Sequence, residues 1–295
     1  MPPKADRLRT GFIGTVIALS IINMSAAGAM AQTATASTAG MESSEIHGLS
    51  YADLADLTLS SPLVAGVTVV QAERLKGELA PGLATGKARF LIQANTAMLL
   101  RGADGLPGMI SYIADVPLDA GGRAPKLKKE RFIVLAERVV GRPQEVRLTS
   151  PYSQLDWTQA NEARLRAILN EAVAPTSPPQ ITGIGNAFHV PGAIPGESES
   201  QIFLATRDNR PISLSILRRP AEQPQWAVAL GEMVDDSARA PARDTLLWYR
   251  LACFLPAQLP DHSVAALSES DAAAVREDYR FVREALGECG RTIAR

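Results

Sequence analysis

Between Leu63 and Ser150 the chain holds five strand-like runs and no internal repeat. The runs LVAGVTVVQAERL, ARFLIQANTAMLL, GMISYIADV, ERFIVLAERVV and EVRLTS are rich in β-branched or aliphatic residues, and Gly, Pro or charged turns separate them. In GMISYIADV, alternation puts Ile110, Tyr112, Ala114 and Val116 on one face, as in a half-buried strand. In ARFLIQANTAMLL both faces are partly apolar, as where a sheet curls over itself. A Ser50-capped helix, YADLADL, precedes these strands, with Leu54 and Leu57 on one side. A second helix follows in LDWTQANEARLRAILNEAVAP. Asp156 or Thr158 caps it, Leu165, Ile168, Leu169 and Ala172 form its buried stripe, and Glu162 stands four residues before Arg166. Five strands and a closing helix in so short a span fit a small closed barrel.

The pattern then changes. The Pro-rich stretch PTSPPQ (175–180) reads as a stiff linker. Beyond it, ITGIGNAFHV is followed by three short strands, QIFLAT, ISLSIL and QWAVALG, with RDNRP as a hairpin turn between the first two. Two helices complete the chain. In RDTLLWYRLACFLP, Asp244 is the expected N-cap, and Leu247, Leu251 and Phe254 recur at helical spacing before Pro256. In SESDAAAVREDYRFVREALGEC, Ser268 and Asp271 resemble a capping box, Val275, Tyr279, Val282 and Leu286 form a stripe, and Gly287 ends the helix. Strands first and helices after imply an antiparallel sheet covered by a helix pair, with Trp226, Trp248, Tyr249 and Phe254 supplying most of its core.

The N-terminus has the form of an export signal. Lys4, Arg7 and Arg9 precede an apolar run from Gly11 to Ile22, and small residues lead to Ala29-Met30-Ala31 before Gln32. Cleavage there is expected; the alternative is a retained membrane anchor. The whole chain has 30 Lys+Arg and 31 Asp+Glu. Removing Lys4, Arg7, Arg9 and Asp6 leaves 27 against 30, a net charge of −3. Such a chain is expected to be soluble and periplasmic or secreted, with no broad positive field for nucleic acid and no stable membrane insertion after cleavage. The organisation is therefore a signal peptide (1–31), a polar disordered leader (32–49), a barrel domain (50–174), the linker (175–180) and an α+β domain (181–295). In an exported chain the two cysteines, Cys253 and Cys289, are expected to form one disulfide clipping the last helix to the one before it; two buried free thiols are the alternative.

The strand order in the first half resembles the OB barrel of the netrin and tissue-inhibitor-of-metalloproteinase type. A long strand ends near ERLKG, a second ends in LLRG, and MISYIADV follows. A basic turn then leads into RFIVLAERV, and a last strand precedes the helix. The resemblance implies an OB-like barrel across about 110 residues. The N-terminal cysteine with which those inhibitors reach a metal is absent, because Gln32 starts the mature chain, so their inhibitory mechanism is not implied. The phrases LLWYRLACFLP and GNAFHVPG also resemble uncharacterised exported proteins of alphaproteobacteria, which implies a compartment and no activity. The expected fold class is α+β, an OB-like barrel with a closing helix followed by a small helix-covered sheet.

OB barrels often bind nucleic acid, and RAPKLKKERF gathers Arg123, Lys126, Lys128, Lys129 and Arg131. Only Phe132 stands beside them as a stacking platform. The cluster reads better as a solvated loop whose charges guard the edge of the next strand, or as a contact for an anionic envelope polymer.

The most unusual stretch is GIGNAFHVPGAIPGE (183–197), read as a long connection beside a sheet. Its glycines form neither G-x-G-x-x-G nor a P-loop, so no nucleotide cofactor is expected. His189 as a general base needs a nucleophile and an orienting acid; Ser198, Glu197 and Glu199 are at hand. Otherwise His189 packs against strand backbone or aliphatic side chains without such a partner. No metal is expected, because His47 and His262 lack ligand spacing to it and Asp235-Asp236 reads as a loop start. As a binding loop the stretch offers Asn186, Phe188, His189 and Glu197. The reading that follows is an exported envelope protein that binds an envelope protein or anionic polymer without catalysis. The alternatives are a periplasmic hydrolase using His189 between the domains, or a purely structural envelope role.

Overall fold

A computed structural model describes residues 48–231 and 239–293, all within one compact unit. The signal-like segment, the leader up to His47, and the Asp235-Asp236 pair lie outside the described residues, whereas Leu49, read as the end of the leader, packs against the core.

Helix α1 (Tyr51–Ser60) is set by Ser50, whose hydroxyl accepts from the Asp53 amide while the Asp53 carboxylate accepts from the Ser50 amide. The barrel follows as β1 (Leu63–Leu75), β2 (Lys87–Arg101), β3 (Met109–Pro117), β4 (Arg131–Val139) and β5 (Arg142–Leu148). Its order is β1-β2-β3-β5-β4, and β1 pairs with β4 from Leu63–Ala136 to Thr68–Arg131, which closes the wall. This is the expected OB-like barrel. Three register shifts in the β1–β2 ladder bend these long strands, so that one β1 strand serves both ends of the sheet. Val67, Val69, Phe90, Ile92, Ile110, Tyr112 and Val134 fill the interior. A short sixth strand, β6 (Gln154–Asp156), adds to β4. At Gly66 the Trp157 ring lies where a Cβ would stand, 2.7 Å away, so only glycine lets the indole cover this wall.

Helix α2 (Gln159–Val173) is capped by Thr158 and presents Leu165 and Ile168 to the core. The basic loop before β4 is tied down by Leu127, which is buried, while Lys126 and Lys128 face solvent. Its charges guard no edge, contrary to expectation. β4 is paired with β1 on one side and with β5 and β6 on the other.

The second sheet has four antiparallel strands, β7 (Ile181–Pro191), β8 (Ser198–Thr206), β9 (Ser213–Arg218) and β10 (Gln225–Ala229), in the order β10-β9-β8-β7. Most of the stretch expected as a long connection is therefore strand β7. Two register shifts near Gly183 and Ala187 space its buried residues Ile181, Ile184 and Ala187 three apart, which hides the usual alternation.

Helices α3 (Leu246–Ala252) and α4 (Glu269–Leu286) follow. Thr245 caps α3, not Asp244, which takes the left-handed conformation just before it (φ 60°). On α4 the whole expected stripe of Val275, Tyr279, Val282 and Leu286 is buried, at roughly 1.5–3 kcal/mol per side chain. Trp248 and Tyr249 are buried beside it; Trp226 and Phe254 are only partly buried, and Ile202, Leu204, Leu214 and Ile216 carry much of this core. The same apolar cluster includes Leu54 of α1, Ile133 and Leu135 of β4, and Leu165 of α2, so it runs without a break from the barrel's helix-covered wall to the second sheet. Cys253 and Cys289 are bonded (S–S 2.08 Å) across a separation of 36 residues. Among the described residues no helix is long and apolar enough to cross a membrane.

Candidate functional site

The β7–β8 register sets His189 opposite Ser200 on the face turned toward α4. His189 Nδ1 lies 2.9 Å from Ser200 Oγ. Ser200 Oγ donates to Asp278 Oδ2 of α4 at 2.5 Å, and Asp278 Oδ1 accepts from Arg218 Nε of β9 at 2.6 Å. Arg218 also reaches Glu277 at 3.2 Å. Ser200 and Asp278 are both 0% exposed.

A structural His189 was expected to lack a hydroxyl partner, yet it has one. The order of the groups decides what they can do. A hydrolytic relay places histidine between acid and serine, so that imidazole takes the hydroxyl proton. Here the serine stands in the middle and its one proton is directed to Asp278. Ser200 Oγ then accepts from His189 Nδ1–H. Fully buried, it offers no lone pair to a substrate carbonyl. The chain of contacts joins β7, β8, β9 and α4, and it satisfies a carboxylate that would be costly to bury alone. Ser198, Glu197 and Glu199, the partners suggested by proximity in sequence, are not in it. Ser200 was legible only through strand register. Asp278 left a signal that reasoning passed over, because it sits three residues after Val275 and four before Val282, on the buried stripe.

The other hairpin candidates do not converge on His189. Phe188 points to the opposite face, half exposed, and packs edge-to-face on Phe203 with ring centroids 5.8 Å apart. Asn186 is exposed. Glu197 belongs to the tight turn, where its carbonyl accepts from the Gly192 amide at 2.7 Å. His262 is set against the Ile184 carbonyl, with Nε2 3.0 Å from the oxygen. Among the described residues no group of three or more His, Cys, Asp or Glu is arranged to hold a metal.

A larger feature lies on the barrel. A concavity of about 750 Å³ runs over the outer faces of β2, β3 and β5 and is bounded by the β4–β5 turn and residues 148–151. Leu91 and Ile113 give it an apolar strip, and Ile113 is 51% exposed. Charged pairs frame that strip: Arg89–Asp115 at 2.7 Å, Arg142–Glu145 at 3.0 Å and Arg147–Glu137 at 2.5 Å. The Arg89 guanidinium, bonded to both carboxylate oxygens of Asp115, holds that carboxyl below its ordinary value. The sequence carried part of this. The alternation that buries Ile110, Tyr112 and Ala114 forces Ser111, Ile113 and Asp115 outward. What it did not carry is the curvature that brings β5 and the β4–β5 turn alongside them.

Comparison with protein-family models and with curated proteins finds no match to the chain.

Proposed function

We propose that the protein is an exported envelope component that works by binding rather than catalysis, and that the concavity on the barrel wall is its binding site. The observation that carries this reading is the framed groove itself. Its volume falls in the range of ligand-binding clefts, its floor combines the exposed Ile113 and the partly buried Leu91 with ion-paired side chains, and it lies on a closed barrel. The signal-like N-terminus and the Cys253–Cys289 bond accord with an oxidising compartment. The hydrolase alternative loses ground because the Ser200 proton is turned away from His189. Of the two kinds of partner, a protein suits the groove better than an anionic polymer. Its three arginines are each neutralised by a carboxylate, which leaves no unspent positive charge to hold a polyanion.

The reading is tested by placing a photo-reactive amino acid at Ile113 and, separately, at Val173, which is exposed at the end of α2. In cells making the full chain, Ile113 should give a discrete adduct and Val173 none. An Ile113 position that gives no adduct, or the same diffuse products as Val173, removes the groove as the binding site.

A further inference from the structure

The groove follows a seam in the barrel. β3 is paired with β2 along its whole length, from Met109 to Pro117. On its other side it meets β5 through a single parallel bridge, Ser111 to Glu145. β5 in turn is paired with β4. Among the described residues β3 has no further pairing on this side, and residues 111–115 of β3 and 145–148 of β5 line the concavity. Tyr112, Ala114 and Val146 line it although their side chains are buried inside the barrel (2%, 4% and 4% exposed). The β2–β3 ladder uses the Gly108 carbonyl and the Leu118 amide, so by strand alternation the main-chain groups of Ile113 and Asp115 are the ones directed away from β2, toward the groove. A strand edge carries alternating donors and acceptors at the spacing of an extended polypeptide, about 3.3 Å per residue. Neither a sugar chain nor a nucleic acid repeats that pattern.

We infer that the partner is a polypeptide segment bound in extended form along the free edge of β3, continuing the ladder past the Ser111–Glu145 bridge. This deepens the proposed function and rests on the groove being the binding site. Backbone hydrogen bonds to β3 supply the common recognition. Side chains on one face of the segment rest on Leu91 and Ile113. Those at its flanks meet Arg142, Glu145 and Arg147, whose alternating signs select a segment carrying both charges over a uniformly acidic or basic one.

The experiment is selection of short random peptides displayed against the full chain, followed by affinity measurement on synthetic copies of those enriched. Three results are expected. Enriched peptides compete with one another. N-methylation at alternate backbone positions weakens binding roughly tenfold for each hydrogen bond lost, while methylation at the intervening positions does not. In amide exchange followed by NMR, Ile113 and Asp115 gain protection when peptide binds. Ile113→Arg, at an exposed position, should abolish binding. The N-methyl series needs no variant and stands if that substitution harms folding. Peptides bound equally well when N-methylated throughout, or protection appearing elsewhere on the surface, would overturn the inference. Failure to enrich any peptide, with the Ile113 adduct still formed in cells, would also reject the extended polypeptide while leaving the groove as the binding site. Loss of that adduct rejects both.

Discussion

Among the described residues two carboxylates are buried, Asp53 on α1 and Asp278 on α4, at 1% and 0% exposure, and they are held in opposite ways. Asp278 is met by one hydroxyl and one guanidinium, Ser200 and Arg218. Asp53 receives five hydrogen bonds from uncharged groups: the Ser50 amide and hydroxyl, the Thr292 amide and hydroxyl, and the Ile293 amide. Both arrangements satisfy a charge inside the protein. They differ in what fails when one piece is lost. The Asp278 site is a chain with few links, and removing the acid leaves a buried hydroxyl without its acceptor and Arg218 with only Glu277. The Asp53 site is a nest in which each donor contributes a share.

The comparison can be broken most directly at Asp278. Asp278→Ala should lower unfolding free energy by about 3 kcal/mol, because it breaks a largely buried ion pair. Chemical denaturation measures it, and a loss under about 1 kcal/mol would mean that Arg218 finds water instead. In a double-mutant cycle, Asp278→Ala and Arg218→Ala should fall well short of additive; additive losses would deny the coupling.

Asp53→Asn should cost less, about 2 kcal/mol, since the amide keeps one oxygen acceptor for the tail and the helix cap. Its sharper signature is in pH. Burial pushes the Asp53 carboxyl up, but the bonds from Thr292, Ile293 and Ser50 together outweigh it and hold the carboxyl below its ordinary value. A group lowered on folding stabilises fully above its unfolded value, near pH 4, and that contribution disappears as pH falls through the folded value. Acid should therefore destabilise the native chain more steeply than the Asp53→Asn variant. Parallel stability curves below about pH 4 would assign the acid sensitivity to other carboxylates.

The smallest effect belongs to His189, the outermost link. His189→Ala should cost about 1 kcal/mol and leave the Ile113 adduct unchanged. A loss of adduct formation with unaltered stability would return His189 to the functional site.

The barrel was legible because one face of each strand is buried, and an alternation such as that of Ile110, Tyr112 and Ala114 survives in the sequence. The disulfide was legible because two cysteines flank stripes that must meet. Strand β7 was not, since its register shifts break the period that reveals a strand. The Asp278 chain and the groove escaped for a different reason. Each depends on residues far apart in sequence, Ser200 with Asp278 and Ile113 with Glu145, and local patterns carry no record of which distant segments become neighbours. Even the N-cap of α3 turned on one residue, because Asp244 and Thr245 are both good caps and the left-handed turn at Asp244 excludes it.

The tail that fills the Asp53 nest lies 239 and 240 residues away along the chain. Bringing together segments so distant in sequence carries a large loop-closure cost. Without Thr292 and Ile293, Asp53 would keep only its bonds from Ser50, and burying it beside the core that α1 shares with α3 and α4 would leave the charge under-satisfied. Arg291 adds a second tie, to Asp56, and the Tyr249 hydroxyl meets that same carboxylate. A chain clipped before Thr292 would lose three of the five donors to Asp53. The seating of the first helix is thereby tied to a segment at the opposite end of the described chain.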